Sequence, residues 1–452
     1  MIKNIIKLGV FTSAMGLFCS NLVAQKSKYV VLVSIDGFRP DFYLNDEYPT
    51  PNLKNFKANG VYAQGVNGVF PTVTYPSHTT IVTGATPAVH GIHYNTPFEP
   101  NGVTGLWNSK FNLIKTKTIW QAAKEAGLKT ASVSWPVSEE SLVIDYNIPE
   151  SFTLKDGLDR RKPTSEFATP KGLFEEVQEY ATGKMTAMDL NINYYKMDEN
   201  IGRMAAYIMR TYKPNLLTLH LPTTDKAQHS QGRSGNDVKL ALATADRAIG
   251  GILEAFKLAG IQDSATIIVT GDHGFVDTHT TMNPNTWLVK AGLLPTKLSS
   301  DSTWKAIFQA TGGSAFLKVK NKNDKASIQK VYDILNSQPE SVKKQYKVLD
   351  GEALAKSGCD PDVVLALLPV QGISMRGNTT GPLMFKSVGG THGYFPNFKE
   401  IQTGFVAFGA GIGNTVIPEM SLTDVAPIIM QLLNIPFESA TGIAIPGVFS
   451  GR

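Results

Sequence analysis

A chain of 452 residues with an ordinary apolar fraction of 42% and a formal charge of only +5 can bury a large core. It reads as a soluble globular protein, not a membrane bundle. No Lys/Arg-rich run stands out, which argues against stable nucleic-acid binding through a basic patch.

The first 25 residues read as a secretory signal: Lys3 and Lys7, then a short apolar stretch, then a cleavage-like region at Leu22-Val23-Ala24-Gln25. Its removal lowers the charge to +3. The protein is therefore expected to be exported, periplasmic or secreted, with no integral membrane segment left after cleavage. Cys19 leaves with the leader. Cys359 is then alone, so no internal disulfide is expected and the fold must rest on its core or on metal.

The first strand is "YVVLVSID" (29–36), a β-branched run that ends at an acid. A helix follows around 50–59, with Pro51 in its first turn and Gly60 at its end. A strand near 61–70 leads into a helix from about Pro76 to Thr83. "TIWQAAKEAGLKTASVSWP" reads as helix, glycine turn and strand. "NLLTLHL" (215–221) is a buried strand, and "DVKLALATADRAIGGILEAFKLAG" a long helix. "SATIIVTGDHG" is a strand ending at an acid and a histidine. "TGFVAFGAG" and "LTDVAPIIMQLLNI" add a late strand and a helix.

Strands alternate with helices, and the strands are apolar without alternation. This predicts an α/β fold, with a mostly parallel central sheet covered by helices on both faces. Residues near 137–213 and 279–390 break the rhythm, being more polar and less periodic, and are read as insertions that cap the sheet's active edge.

Open α/β sheets bind ligands at the carboxyl ends of their strands. Asp36 follows one strand. Asp225 and His229 lie just beyond another, and Asp272 and His273 end a third. His392 sits in the glycine-rich "GGTHGYF". Each residue alone reads more simply as part of a turn or a solvated loop. Together they are three acids and three histidines at strand ends, the residue types that bind zinc. Six ligands can supply two three-ligand sets, each with open positions. Two cations could then clamp the attacking and leaving oxygens of an in-line phosphoryl transfer.

"FPTVTYPSHT" (70–79) offers a nucleophile. A hydroxyl is activated when a cation lowers its pKa, and Thr74 would lie beside a helix N-terminus that favours an oxyanion. Thr72 and Ser77 remain rivals on composition. His78 is read as a supporting residue and not as the base.

The segments "VSIDGFRPDF", "FPTVTYPSHTTIVTGATPAVHGIHYN", "SVSWPVSEE", "TTDKAQHSQG", "VTGDHGF" and "GGTHGYF" resemble, in order, those of the nucleotide pyrophosphatase/phosphodiesterase family of the alkaline phosphatase superfamily. The resemblance spans about positions 30–396. It implies an alkaline phosphatase-like catalytic domain over residues 26–452. Thr74 aligns with the covalent nucleophile, which forms a phosphoryl–enzyme intermediate. Asp36, Thr74, Asp272 and His273 align with the ligands of one zinc, and Asp225, His229 and His392 with those of the other. Two Zn2+ ions are thus the implied cofactors. Asn95 aligns with a side chain that donates to a phosphate oxygen. The chain departs from the family at Ser77, where Asn is frequent, and in "WPVS", where Trp-Pro-Gly-Ser is more common.

The implied activity is hydrolysis of phosphodiester or pyrophosphate bonds in a small-molecule, nucleotide-type substrate. The alternatives are a phosphomonoesterase of the same superfamily and, more remotely, a non-catalytic metal-binding protein. A monoesterase needs Lys or Arg near its more highly charged phosphate. Arg39, Lys226, Arg160 and Arg161 are the basic residues within reach of these motifs, and each has a simpler structural or surface reading. Phe70, Tyr75, Tyr94 and Trp135 are candidate walls for an aromatic group.

Overall fold

The computed structural model describes residues 27–100, 105–151, 159–299 and 303–451. The leader read at 1–25 lies outside them. The central sheet contains eight strands: β1 (Tyr29–Ile35), β2 (Val61–Ala63), β3 (Thr130–Val133), β4 (Tyr146–Ile148), β5 (Leu216–Leu221), β6 (Ala265–Thr270), β7 (Phe405–Gly409) and β8 (Val416–Ile417). Their spatial order is β8-β2-β7-β6-β1-β5-β3-β4, and only β7 runs against the rest.

The strands are continuous β-branched and aliphatic runs because both faces of this sheet are covered. Val31 and Val33 of β1 pack on one face with Ile201, Met204, Ile249 and Ile252. These four come from helices α4 (Lys196–Tyr212) and α6 (Asn236–Ala259). Val30 and Leu32 pack on the other face with Ile81, Trp120 and Ile429. These belong to α2 (Thr74–Thr83), α3 (Ile119–Glu125) and α7 (Val425–Leu432). Helix α1 (Pro51–Asn59) begins at the proline expected in its first turn.

Three boundaries differ from the sequence expectation. The strand expected over 61–70 is two short pieces, Val61–Ala63 and Val66–Asn67, because Gly65 and Gly68 interrupt it. Helix α2 begins at Thr74 and not at Pro76. A proline in the first turn has no N–H to lose from the helix ladder, so it does not have to stand first. Asp225 and His229, expected just beyond a strand with no helix assigned to them, lie on a helix, α5 (Thr223–Gln231).

Residues after β6 build further sheets at the carboxyl edge. A four-stranded antiparallel sheet takes the order 306–310, 315–319, 365–369, 346–350. It has its own core around Trp287, Phe308, Leu317 and Leu365. A three-stranded sheet joins Ile373–Met375, Thr280–Met282 and Met384–Lys386. Gly390–Thr391 pairs with Val276–Asp277 just before His392. Among the described residues no helix is long and apolar enough to cross a membrane, and Cys359 is a buried free thiol.

Candidate active site

Strand register sets the level of the site. β1 pairs in parallel with β5, ending at Ile35 opposite Leu221, and with β6, with Ser34 opposite Thr270. The residues that follow, Asp36 on one strand and Asp272–His273 on the other, therefore leave the sheet side by side. Gly37 N–H donates to Asp272 Oδ1 at 3.0 Å and closes the turn between them. Gly37 has φ of +69°, and a Cβ there would sit 2.6 Å from Gln228 Nε2. A side chain at this position would strain the backbone and push α5 away.

Helix α5 carries Asp225 and His229 one turn apart, on one face. His229 Nε2 is 3.3 Å from Asp225 Oδ1. Gln228 anchors the helix by donating to Gly37 O at 2.9 Å and accepting from Arg39 Nη1 at 2.6 Å. Arg39 is buried and also pairs with Asp41, so its role is structural, as the sequence suggested.

Three histidines share one arrangement. His229 Nδ1 lies 3.0 Å from Gly390 O, His273 Nδ1 3.1 Å from Gly274 O, and His392 Nδ1 3.0 Å from Thr72 O. A carbonyl only accepts, so each Nδ1 carries the hydrogen and each Nε2 faces the acids. His273 Nε2 is 3.1 Å from Asp272 Oδ2 and 3.4 Å from Asp36 Oδ1. His392 Nε2 is 3.5 Å from Asp225 Oδ1. The rings of His273 and His392 stack at 3.7 Å.

These donors fit a cation. Asp36 Oδ1, Asp225 Oδ1, Asp272 Oδ2 and His273 Nε2 are buried without a hydrogen-bond partner, which is costly in a low-dielectric interior. Burial, with the Asp272 and Asp225 carboxylates beside it, pushes the Asp36 carboxyl well above its ordinary range. Burial depresses the His273 imidazole, but Asp272 and Asp36 outweigh it and lift the ring to about 9. Burial and the His273 charge take His392 down to about 3. Two groups of ligand atoms each lie within 4.8 Å: Asp225, His229 and His392, and Asp36, Asp225 and His273. Asp225 belongs to both, so the two groups share a wall. All six acids and histidines singled out in the sequence thus converge.

Thr74 opens α2. It is 9% exposed, whereas Thr72 and Ser77 are fully buried. Thr72 is also occupied, its hydroxyl donating to Tyr394 O at 2.9 Å and accepting from Gly393 N–H at 3.0 Å. His78 Nδ1 is 2.8 Å from Thr74 O and 3.7 Å from Asp272 Oδ2, linking the first turn of α2 to the acid cluster. Burial and the nearby His220 hold His78 neutral, at about 3. Asn95 Oδ1 accepts from Tyr75 N–H at 2.9 Å, which orients the amide and leaves its Nδ2 hydrogens to donate elsewhere.

The sequence reading passed over a bracing layer. His220, in the middle of "LHL", reaches Asp36 Oδ2 at 3.1 Å and Glu150 Oε2 at 3.0 Å. Burial opposes its charge, but hydrogen bonds to the two carboxylates lift it to about 10. Glu150 Oε1 accepts from Tyr75 O–H at 3.2 Å and lies 3.8 Å from Arg160 Nη1. A histidine in an otherwise aliphatic strand was the visible signal for this chain. Phe70, Tyr75, Tyr94 and Trp135, expected as possible walls, are all buried. Trp135 packs edge-on against His78 and Trp120. Arg161 pairs with Asp159 at the surface. Lys226 is half-buried on α5.

Asp198 ties α4 to α5, accepting from Thr223 Oγ1 at 2.7 Å and from Thr223 N–H at 3.3 Å. Burial pushes its carboxyl up to about 7, against the opposing pull of Thr223. A folded-state pKa above the unfolded one stabilises at low pH, and that stabilisation is lost as pH rises through about 7. Relative to wild type, Asp198→Asn should therefore gain about 2–3 kcal/mol of unfolding free energy between pH 5 and pH 8. Urea unfolding of both forms, with metal in excess, measures the difference. Parallel stability profiles would refute the assignment.

The profile of the type I phosphodiesterase / nucleotide pyrophosphatase family matches residues 30–394. Venom phosphodiesterase 2 of Crotalus adamanteus is 24% identical over 398 residues, covering 84% of this chain and 42% of its own length. Ectonucleotide pyrophosphatase/phosphodiesterase family member 1 of Homo sapiens is 26% identical over 251 residues, covering 55% of this chain and 23% of its own. The chain thus spans less than half the length of these relatives. Among solved structures, human ectonucleotide pyrophosphatase/phosphodiesterase 5 superposes with a TM-score of 0.66 at 20% identity, covering 92% of this chain and 97% of that one. The murine counterpart, in an inactive threonine-to-alanine form in complex with AMP, gives a TM-score of 0.65 at 22% identity, with the same coverage of each chain. At such identities the likeness speaks for the fold.

Proposed function

This chain belongs to the type I phosphodiesterase / nucleotide pyrophosphatase family, and from that premise we propose that it hydrolyses phosphodiester or pyrophosphate bonds of nucleotide-type substrates through a phosphothreonine at Thr74. The observation that carries this reading is the convergence of unpaired buried carboxylate and imidazole atoms near the helix that opens on Thr74, the most exposed of the three candidate hydroxyls.

Asp36, Thr74, Asp272 and His273 would hold one zinc, and Asp225, His229 and His392 the other. Bound there, the two ions would neutralise phosphate charge and lower the pKa of a hydroxyl and a water. Thr74 Oγ attacks phosphorus in line, and the bond to the leaving group breaks on the opposite side. By the family resemblance, we infer that side to be the one bounded by Asp225, His229 and His392. Asn95 Nδ2 donates to a non-bridging oxygen as its charge grows. Water then cleaves the threonine ester, restoring the hydroxyl and releasing the phosphorylated product. His220, held by Glu150, keeps Asp36 in its place. The segment near 137–213 belongs in part to the central layers, through β4 and α4, and the one near 279–390 caps this edge. Glu150 comes from the first, and the walls beside His229 come from the second.

A diesterase is favoured over a monoesterase because the nearby cations are engaged elsewhere. Arg39 pairs with Asp41, Arg160 with Glu150, and Arg161 with Asp159. The names of the relatives, venom and ecto-enzymes, support export. Hydrolysis of the nitrophenyl ester of thymidine monophosphate should outpace that of nitrophenyl phosphate by at least about 100-fold, or about 3 kcal/mol in the barrier. A faster monoester would reverse the subclass and point to Lys226 as the cation that meets it.

A further inference from the structure

A groove of about 500 Å3 opens directly beside the cluster, with His229, Gly390 and Thr391 at its inner end. Its walls come from the edge sheets. Thr281 and Ser374 lie on paired strands, and their hydroxyls bond to each other at 2.7 Å. Ser387 contributes a buried hydroxyl with no hydrogen-bond partner. Arg376 stands among the lining residues, exposed, with no ion pair to any described residue. Its backbone is fixed, since its own N–H donates to Met282 O at 2.9 Å and the preceding Met375 N–H donates to Gly312 O at 2.5 Å. Gly312 has φ of +84°, and a Cβ there would lie 2.5 Å from Thr391 Oγ1. That residue must stay small for the inner end to form.

We propose that this groove receives the leaving group, and that Arg376 selects leaving groups that carry a further phosphate. The inference rests on the phosphodiesterase reading of the site. In-line attack from Thr74 expels the leaving group toward Asp225, His229 and His392, and the groove begins at His229. None of the lining residues carries a carboxylate, and Arg376 is the single Lys or Arg among them. The unpartnered hydroxyl of Ser387 supplies a donor for a phosphate oxygen, while those of Thr278 and Thr391 already donate to Gly389 O at 3.3 Å and His392 O at 3.4 Å. No Phe, Tyr or Trp lines the groove, and its one ring among the described residues is the His229 imidazole at the inner end, so it offers a base little to stack on. An anion with several acceptor oxygens fits these walls, and a guanidinium is the side chain suited to bind it with two parallel bonds.

The test compares two substrates that share a nucleotide and differ in what leaves. Thymidine triphosphate releases pyrophosphate, and the nitrophenyl ester of thymidine monophosphate releases nitrophenolate. The ratio of kcat/KM for the triphosphate to that for the ester should fall about tenfold in Arg376→Ala and recover only in part in Arg376→Lys, which keeps the charge but not the two parallel bonds. In the Thr74→Ala background, calorimetric titration should show Arg376→Ala weakening triphosphate binding by a similar factor. An unchanged ratio, or unchanged binding, overturns the role of Arg376 while leaving the diesterase reading intact. Failure of the wild-type, zinc-loaded protein to cleave either substrate overturns both.

Discussion

Thr74→Ala stops turnover: kcat for the nitrophenyl ester of thymidine monophosphate falls by a factor on the order of 10^4. Acid quenching during turnover traps thymidylate, esterified through its phosphorus, on the wild-type chain and none on the variant. The expectation rests on how the three neighbouring hydroxyls are placed. Thr72 already makes two hydrogen bonds to the Gly393–Tyr394 segment, and Ser77 is wholly enclosed. Thr74 alone combines some exposure with the first position of a helix, whose Tyr75 N–H is taken by the Asn95 amide and not by the Val73 N-cap. An oxyanion at Thr74 Oγ meets the positive end of that helix. Thr74→Ser keeps the oxygen and should retain a measurable part of the activity. A Thr74→Ala protein that kept even a tenth of wild-type kcat, with its metal content unchanged, would remove the covalent step from the mechanism.

Stripping the protein with a chelator gives the second large effect. Activity falls at least about 1,000-fold, because charge stabilisation at the reacting phosphate is the main catalytic term in this chemistry. The melting temperature falls as well, by roughly 9 °C, since two ions each bound at 1,000 times its Kd together contribute about 8 kcal/mol. The physical cause is the crowding of Asp36, Asp225 and Asp272, with no hydrogen-bond donors for the inward-facing oxygens. Zinc restores both quantities, and calorimetry before and after re-addition measures them. A melting temperature indifferent to chelation would mean that the buried acids are stabilised in some other way.

Much of the site was legible because it sits where strands end. Runs such as "YVVLVSID" and "SATIIVTGDHG" show both a buried parallel strand and the acid at its carboxyl end. Parallel pairing then brings Asp36 and Asp272 to one level without further information. The helix carrying Asp225 and His229 was not legible. "TTDKAQHSQ" has no apolar stripe to mark a helical face, and the segment is held in place by Gln228 and Arg39. The His220–Glu150 pair was hidden for a different reason. A contact between residues 70 positions apart leaves no local pattern. The groove beside His229 was also out of reach, since its walls are brought together only by the pairing of 280–282 with 373–375 and 384–386.

The bond from His392 to the Thr72 carbonyl joins positions 320 residues apart. It orients an imidazole of the cluster and, in the same contact, fixes the lead-in to the helix that opens on Thr74. No folding intermediate that lacks the C-terminal part of the chain can present a finished cluster, and loop closure of that span is a late event. Metal uptake should therefore be the closing step of maturation. An emerging or partly folded chain would offer scattered, weak ligands, while the completed fold captures the ions in a frame already built to receive them.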